Sequence, residues 1–447
     1  MFDQSFSVKN FKKIYDLDKK NGGTIELEYF NDAYNISKKI QRLKQYINLL
    51  SKKNKNGQIS KIELDNKKNK INEIIEKRKE QYNNNINEKL KIISQKVSKK
   101  GYTLSLNRTS TKIDDKDIYS IGNEAEELFV SKQIKLILCH LFNIKTNNRD
   151  LIISRLSALT KDKSPKFIIR ADIKSFYESI DHKILLKTLH SSSKLSVLPL
   201  RVITQFIKQY KILTNSDKGL PRGVGMSAYL SELYMSVIDE KIKSLSDLTY
   251  YERFVDDLII IFSPTKEENT RYYYRKIEKI IEESDLTFND KTQKLDLFTK
   301  TKNEFEYLGY KFQLSSNNCK INMSQKKIEK IRSRINKSFE DYKKMVTKCP
   351  KKAAHNLLLR IKFLTGNSRL CNYKSNAFIG IYFSNRFINN SEDLESLDEY
   401  LLQQITSLHD QKLIRRMKKL SFKSGFEKKV FRKFTLGEFS KISKGWA

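Results

Sequence analysis

The chain has 447 residues, 38% of them hydrophobic and 31% charged, a composition that supports folded domains and excludes a disordered or low-complexity protein. Lys and Arg number 87 against 52 Asp and Glu, and the net charge of +35 favours a polyanionic partner such as nucleic acid. Four scattered cysteines with no Cys-x-x-Cys pair exclude a zinc ribbon, and the lack of a long apolar run or apolar leader predicts a soluble cytoplasmic protein with no membrane segment.

Residues 1–100 are predicted to be mostly helical and basic, with 24 Lys and Arg against 12 Asp and Glu. Segment 52–100 is rich in Lys, Glu, Gln and Asn, as long solvated helices are. The charge has two interpretations, a solubilising helical face or a surface that binds nucleic acid. The excess of positive charge favours the second.

The pattern changes after residue 118. Amphipathic periodicity predicts helices over 119–144 and 150–159, and the apolar run 167–171 predicts a buried strand that ends at Asp172. Helical periodicity then continues over 175–190.

A β-hairpin is predicted over 250–262, because two apolar runs flank a central pair of acids. A helix near 267–284 and a β-rich stretch over 287–323 follow. The tail, 324–447, is predicted to be helical, with 28 Lys and Arg against 11 Asp and Glu. Its one acidic stretch, 392–399, is interpreted as a loop and a helix start.

Three segments carry the chemistry: 170–182 (RADIKSFYESIDH), 218–230 (KGLPRGVGMSAYL) and 254–257 (FVDD). Each alone is ordinary, since strands often end in Asp and Asp pairs often lie in solvated turns. Together they suit phosphoryl transfer by two Mg²⁺ ions, which needs carboxylates that bridge ions roughly 3.5–4 Å apart. Asp172 at a strand end and Asp256 at a hairpin tip are the predicted metal ligands.

The order of these segments resembles motifs A, B and C of the palm of reverse transcriptases, over roughly residues 110–315. The resemblance places Asp172 as the motif A aspartate and Asp256 with Asp257 as the aspartate pair of the Y-x-D-D signature. It implies two Mg²⁺ ions, with Mn²⁺ as a substitute, held by these carboxylates and the backbone of Ile173.

The resemblance also implies the residues that hold the incoming nucleotide. Tyr177 falls where the family places a bulky side chain that excludes a 2′-hydroxyl, which implies dNTP substrates; the alternative for Tyr177 is ordinary packing. Arg222 stands where many relatives have Gln, and Ala228 where they have Pro, so the templating mode stays open. The full predicted nucleotide-binding set is Phe176, Tyr177, Arg222, Gly223 and Ser227.

Two further motifs follow the aspartate pair. Lys291 resembles the motif D lysine that protonates or neutralises the leaving pyrophosphate, with an ordinary surface lysine as the alternative. Residues 305–310 (FEYLGY) resemble the primer-grip hairpin, here Tyr307, Leu308 and Gly309. The cations that bind the triphosphate are not fixed by spacing, and the candidates are Arg108, Lys112, Lys116 and Arg149.

The expected architecture is an α+β right-hand polymerase of fingers, palm and thumb, with an antiparallel palm sheet. The predicted parts are a basic helical N-terminal extension (1–100), fingers and palm (101–323), and a basic helical thumb with a C-terminal extension (324–447). In the thumb, Ile328, Ile331, Ile335 and Phe339 recur on one helical face.

Within the family the amino-acid sequences of motifs A and B are most similar to those of the defence-associated bacterial reverse transcriptases, nearest the b component of the type 3 antiphage system. This implies a partner reverse transcriptase, a small non-coding RNA, antiviral DNA synthesis, and a homo- or hetero-oligomer. Two rivals remain. One is an RNA-dependent RNA polymerase, disfavoured by Tyr177, and the other is a silent palm used as an RNA-binding scaffold, disfavoured by the three intact aspartates.

Overall fold

The computed structural model describes residues 2–446 except 114, 146, 163, 165, 265–269, 298–301, 316–317 and 373–374. The helices that it describes are α1 (Val8–Lys20), α2 (Ile25–Tyr29), α3 (Asn31–Lys55), α4 (Lys61–Ser98), α5 (Ala125–Leu141), α6 (Arg149–Lys161), α7 (Phe176–Ser179), α8 (His182–Ser191), α9 (Val197–Thr214), α10 (Gly225–Lys243), α11 (Thr270–Glu282), α12 (Gln325–Val346), α13 (Pro350–Leu364), α14 (Ile381–Asn385), α15 (Glu392–Thr406), α16 (Gln411–Met417), α17 (Phe422–Glu427) and α18 (Leu436–Lys444). None of these helices is long and apolar enough to span a membrane.

The strands form four antiparallel sheets in the described residues. They are β1 (Leu106–Ile113), β2 (Lys116–Ile121), β3 (Phe167–Asp172), β4 (Leu248–Phe254), β5 (Asp257–Phe262), β6 (Gln293–Asp296), β7 (Lys302–Tyr307), β8 (Tyr310–Ser315), β9 (Asn318–Met323), β10 (Asn367–Asn372) and β11 (Ser375–Gly380). The mixture of helices and antiparallel sheets is the predicted α+β class.

The chain divides into two compact units, each built from two segments. Unit 1 contains residues 1–145 and 175–237, and unit 2 contains 146–174 and 238–447. The predicted domain boundaries at residues 100 and 323 stay a prediction.

In unit 1 a long helical hairpin is formed by α3 and α4. The hydroxyl of Ser60 accepts a hydrogen bond from the backbone N–H of Glu63 (3.1 Å) and starts α4, as an N-cap does. Leu50 of α3 packs with Leu64, Ile71 and Ile75 of α4 in one apolar cluster. Most other positions along both helices are polar and exposed, as predicted for this region.

The palm sheet of unit 2 has the strand order β4-β5-β3-β6. Its central strands are apolar on both faces, since Ile168, Ile169, Ile259 and Ile260 are 0% exposed. The predicted strand and hairpin are therefore confirmed.

The rest of unit 2 continues the same core. The three-stranded sheet β7-β8-β9 and helices α12, α13 and α15 contribute to a cluster that includes Phe312, Ile335, Phe339 and Leu397. Ile328 and Ile331 pack against this cluster, so the predicted apolar face of α12 is confirmed.

Several local predictions are wrong. Residues 119–121 belong to β2, not to a helix, because Tyr119 pairs with Arg108 of β1, and a capping box at Glu124 starts α5. The helix predicted over 175–190 is broken, since the Asp181 carboxylate accepts the N–H of Ile184 (2.8 Å) and starts α8 anew. The tail also contains the hairpin β10–β11.

Other predicted elements agree with the structure in whole or in part. Helix α6 covers the predicted 150–159. Helix α15 begins at Glu392 with acids in its first turn, so the predicted helix start is confirmed, but the loop predicted within 392–399 is wrong because that stretch is entirely helical. Helix α11 begins at Thr270. The part of its prediction at 267–269 lies outside the described residues.

Candidate active site

The predicted carboxylates lie at one end of the palm sheet. Strands β3 and β5 are antiparallel, and their register places Asp172 opposite Asp257. The backbone N–H of Ile173 donates to the carbonyl of Asp256 at 3.3 Å. Pairs of residues 85 and 83 positions apart in the sequence are thus joined at this end of the sheet.

The turn that carries Asp256 has an unusual backbone. Phe254 pairs with Asp257, so Val255 and Asp256 form a two-residue hairpin loop. Val255 has φ +62°, although its β-branched side chain disfavours this region and hairpin turns prefer glycine there. Such a conformation costs roughly 1–3 kcal/mol and persists where the surroundings impose it, which is common at functional sites.

Asp257 is held by neighbours from two sheets of unit 2, the palm sheet and the β7-β8-β9 sheet. Its carboxylate accepts a hydrogen bond from Arg170 at 2.7 Å, and its backbone carbonyl accepts one from the hydroxyl of Tyr307 at 3.0 Å. Burial raises the pKa of the Asp257 carboxyl; Arg170 opposes the rise, and the nearby Asp172 carboxylate adds to it.

Asp172 is positioned by the segment after α11. The backbone N–H of Asn289 donates to the Asp172 carbonyl at 2.7 Å, and its side-chain amide donates to the Asp172 carboxylate at 3.3 Å. Ile173 also pairs with Phe288. Lys291 follows in an exposed turn, two residues from the contact with Asp172.

The donor set fits a magnesium site in kind. Asp172, Asp256 and the backbone of Ile173 offer hard oxygen ligands, and adjacent like charges at Asp172 and Asp257 favour a cation. Among the described residues, no three His, Cys, Asp or Glu side chains are grouped closely enough to hold an ion by themselves. Asp257, paired with Arg170, therefore stays a predicted third ligand.

A second set of predicted residues lines a cavity of about 560 Å³ in unit 1. Tyr177, Arg222 and Gly223 are all on its wall. The remaining described lining residues are Ile113, Lys116, Ile118, Val224, Gly225 and Ala228.

Arg222 is fixed by two neighbours. Its guanidinium makes two hydrogen bonds to the Glu178 carboxylate, at 2.6 and 3.1 Å, and lies 5.1 Å from the centre of the Tyr177 ring. Burial raises the pKa of Glu178, but the hydrogen bonds and charge of Arg222 outweigh it and the pKa is lowered. The ion pair thus holds the guanidinium plane against the ring.

Backbone contacts shape the loop around Arg222. The N–H of Tyr119 donates to the Arg222 carbonyl at 2.8 Å, and the N–H of Leu220 donates to the Tyr177 carbonyl at 2.7 Å. Gly223 has φ +91°, and a Cβ there would lie 2.7 Å from the Tyr119 carbonyl oxygen. Glycine is required at this position by both conformation and space.

Phe176 and Ser227 are placed differently from the rest of the predicted nucleotide set. Each is 1% exposed and absent from the described cavity lining. Phe176 faces inward because it is the buried residue of α7, and Ser227 lies in the first turn of α10. Direct nucleotide contact by either side chain stays a prediction.

The triphosphate candidates fall in different places. Arg108 forms an ion pair with Asp117, and Lys112 lies 3.9 Å from the same carboxylate. Lys116 reaches the cavity, with its amine 3.3 Å from the Ser175 hydroxyl and 3.9 Å from Glu178.

Arg149 belongs to unit 2, where it binds the predicted primer-grip hairpin. Its guanidinium donates to the Leu308 carbonyl at 2.5 and 3.1 Å and stacks on the Tyr310 ring at 5.2 Å. Leu308 and Gly309 both have positive φ, at +45° and +76°, as a two-residue hairpin turn requires. Tyr307 is buried and reaches the Asp257 carbonyl.

The residues that sequence reasoning missed are Arg170, Glu178 and Asn289. Each acts on a predicted site residue through a hydrogen bond. Arg170 and Glu178 both lie within the motif at 170–182. Arg170 is the one charged residue in the apolar run of β3, and Glu178 is a charged residue next to Tyr177, so the sequence did contain a signal for each. Asn289 carried no signal, because its contact with Asp172 depends on how the sheet folds.

The palm strands β3, β4 and β5 and the paired aspartates lie within a segment that matches a known family. The sequence matches the family model for reverse transcriptase (RNA-dependent DNA polymerase) over residues 70–312. This match covers more than half of the chain, and the protein belongs to the reverse transcriptase family. No curated protein sequence matches the chain significantly.

Solved telomerases are similar at low identity. Apo telomerase from Candida tropicalis is 13% identical over 77% of this chain and 60% of its own, with a TM-score of 0.38. A form truncated from the C-terminal domain is 14% identical over 50% and 55%, with a TM-score of 0.37. Candida albicans telomerase in complex with a TWJ fragment of telomeric RNA is 12% identical over 73% and 62%, with a TM-score of 0.37. The chain spans between 55% and 62% of these proteins' lengths.

Proposed function

We propose that the protein is an RNA-directed DNA polymerase that adds deoxynucleotides to a 3′-hydroxyl. The observation that carries this proposal is the register that sets Asp172 opposite Asp257, with Asp256 on a strained turn beside them. The hydroxyl attacks the α-phosphate of the incoming dNTP, a P–O bond forms, and pyrophosphate leaves.

The carboxylates act as a group in this reaction. Asp172 and Asp256 would hold the divalent ions, which when bound would lower the pKa of the 3′-hydroxyl and neutralise charge on the leaving pyrophosphate. Asn289 orients Asp172 by its two hydrogen bonds, and Arg170 orients Asp257. Lys291, exposed after Asn289, is placed to neutralise the pyrophosphate.

Tyr177 selects the sugar in this scheme. Its ring lines the cavity, and Arg222 holds the ring from one side. A ring fixed beneath the sugar C2′ position clashes with a ribonucleotide hydroxyl. Lys116, on the same cavity wall, replaces Arg108 and Lys112 as the preferred triphosphate ligand, because those two share the Asp117 carboxylate.

The biological setting is part of the same proposal. The amino-acid sequences of the motifs support a bacterial cytoplasmic enzyme of antiphage defence that works with a non-coding RNA and a partner reverse transcriptase. The net charge of +35 supports binding of the RNA and the DNA product. Arg222 stands where many relatives have Gln and is paired with Glu178, which keeps unconventional templating within the proposal.

The test is DNA synthesis by the purified chain with Mg²⁺ and either dNTPs or NTPs, with and without co-purifying RNA. We expect Asp256→Ala to abolish synthesis while the protein stays folded, because one ion ligand is lost. Glu283→Ala is the matched control, since Glu283 is an exposed palm acid paired with Lys241. Full activity of Asp256→Ala would refute the site, and RNA bound without synthesis by the wild type would favour the scaffold.

A further inference from the structure

A cavity of about 490 Å³ lies in the C-terminal half of unit 2, outside the segment that matches the family model. Helices α12, α13, α14 and α18 and strand β11 line it. None of its described lining residues belongs to the palm site or to the predicted primer-grip hairpin at 305–310.

Three aromatic rings line part of this cavity. The Phe363 ring lies 5.9 Å from Phe439 and 5.8 Å from Trp446, and all three rings are half-buried, so each keeps an exposed part. The Trp446 indole N–H donates to the Arg334 carbonyl at 3.1 Å and to the Ser338 hydroxyl at 3.0 Å. The aromatic wall is therefore held in place by the adjoining helix.

Basic side chains line the same cavity. Lys330 and Arg334 are among them together with Lys327, and no Asp or Glu is found among the described lining residues. The Lys327 amine is fixed by the Ser384 carbonyl at 2.9 Å and the Asn385 side chain at 3.0 Å. Lys330 is exposed, and the Arg334 guanidinium lies 4.9 Å from the Trp446 ring centre. The Lys327 amine is thus already occupied, and Lys330 and Arg334 are the cations that suit the cavity to an anion.

An aromatic wall beside unopposed cations matches one nucleotide unit of a nucleic acid. The base is a flat π-system that stacks on aromatic rings, and the phosphodiester is the anion. The cavity also lies within the usual 300–1,000 Å³ of small-ligand sites. A purely apolar ligand would leave the cations unused, and an acidic peptide would leave the rings without a flat partner.

We propose that this cavity binds one unpaired nucleotide of a single-stranded nucleic acid, with the base against Phe363, Phe439 and Trp446 and the phosphate at Lys330 and Arg334. Lys327 connects the cavity to the primer-grip hairpin, because its amine also lies 4.3 Å from the Tyr310 ring centre. The cavity thus anchors a strand beside that hairpin. This inference rests on the proposed function, since it assumes a nucleic-acid substrate.

The test uses the fact that Trp446 is the only tryptophan of the chain. Full-length protein is titrated with a short single-stranded RNA, with DNA of the same sequence, and with the nucleoside monophosphate, while Trp446 emission and oligonucleotide anisotropy are recorded. Stacking quenches the indole, so we expect quenching that follows strand binding by RNA, DNA or both. The proposal would be overturned if anisotropy showed that the oligonucleotides bind while Trp446 emission stayed unchanged. It would also be overturned if only the nucleoside monophosphate quenched Trp446.

Variants then test the aromatic and the basic lining residues of the cavity separately. Phe439→Leu should weaken strand binding about tenfold, in the range expected for one lost stacking partner. Lys330→Gln and Arg334→Gln should each reduce the slope of log affinity against log salt by about 0.7, the value for one phosphate contact on a single strand. Lys344→Gln, an exposed cation further along α12, is the matched control. The phosphate site would be refuted if the salt slopes of Lys330→Gln and Arg334→Gln equalled that of the control. This outcome does not depend on whether the Phe439→Leu variant folds.

DNA synthesis by the same preparations distinguishes the two proposals. Synthesis with an unresponsive Trp446 refutes the cavity and leaves the polymerase intact. Quenching of Trp446 without synthesis supports the cavity and refutes the polymerase proposal.

Discussion

The half-buried Lys327 makes the stability of this protein depend on pH in a defined window. Burial lowers the pKa of the Lys327 amine to about 7 from its ordinary 10.5; the nearby charge of Arg149 adds to the effect and Asp150 opposes it. Between these two values the folded protein has released the proton while the unfolded chain still holds it. Unfolding therefore takes up a proton, and the free energy of unfolding rises with pH across the window.

The magnitude follows from the two pKa values. The free energy of unfolding gains up to about 1.4 kcal/mol per pH unit, with an upper limit of roughly 5 kcal/mol between about pH 7 and 10.5. Below pH 7 both states are charged and the contribution is constant. Lys327→Met removes the titrating amine and should flatten the pH dependence.

The assay is urea unfolding of wild type and Lys327→Met at several values between pH 7.5 and 9.5. Loss of the two hydrogen bonds to Ser384 and Asn385 adds an offset of about 1–3 kcal/mol that does not vary with pH, so the slope isolates the ionisation. Lys326→Met, exposed on the same helix, is the control. Parallel pH profiles for wild type and Lys327→Met would refute the reasoning.

Three other substitutions test the active-site geometry. Tyr177→Ala should reduce the preference for dNTPs over NTPs on the order of 10- to 100-fold, and an unchanged ratio would assign Tyr177 to packing. Gly223→Ala should lower the free energy of unfolding by about 1–2 kcal/mol or more, because its φ is +91°; Gly437→Ala, in open space, should not. Val255→Gly should relieve roughly 1–3 kcal/mol of strain in urea unfolding yet slow DNA synthesis, since the turn holds Asp256 less firmly. If that variant synthesises DNA at the wild-type rate, the strain at Val255 has no role in catalysis.

The sequence predicted the palm well because local and long-range signals agree there. The run 167–171 is apolar at every position but one and ends in a charge, so strand β3 and the position of Asp172 follow from one pattern. The hairpin at 250–262 is equally marked by two apolar runs around two acids. Both signals lie within a few residues of the site that they predict.

Other parts of the site depend on contacts between distant segments. Tyr119 was predicted to be helical because its neighbours continue an amphipathic pattern, but pairing with Arg108 and the hydrogen bond to Arg222 draw it into β2. Arg149 and Lys112 are alike in the sequence, as cations before motif A. Only the structure shows that the Arg149 guanidinium donates to the Leu308 carbonyl and so contacts the predicted primer-grip hairpin.

Backbone strain marks both groups of site residues in a way that no local pattern predicts. Val255 precedes Asp256 with φ +62°, and Ser175 lies two residues before Tyr177 with φ +47°. Local preference opposes both conformations, because neither residue is glycine. Each is imposed by its surroundings: the β4–β5 register closes the turn at Val255, and the amides of Glu178 and Ser179 donate to the Ser175 carbonyl at 2.9 and 3.0 Å. Ten described residues other than glycine have a positive φ, and among them Val255 alone is β-branched, so its strain is the one that points to the carboxylate turn independently of the motifs.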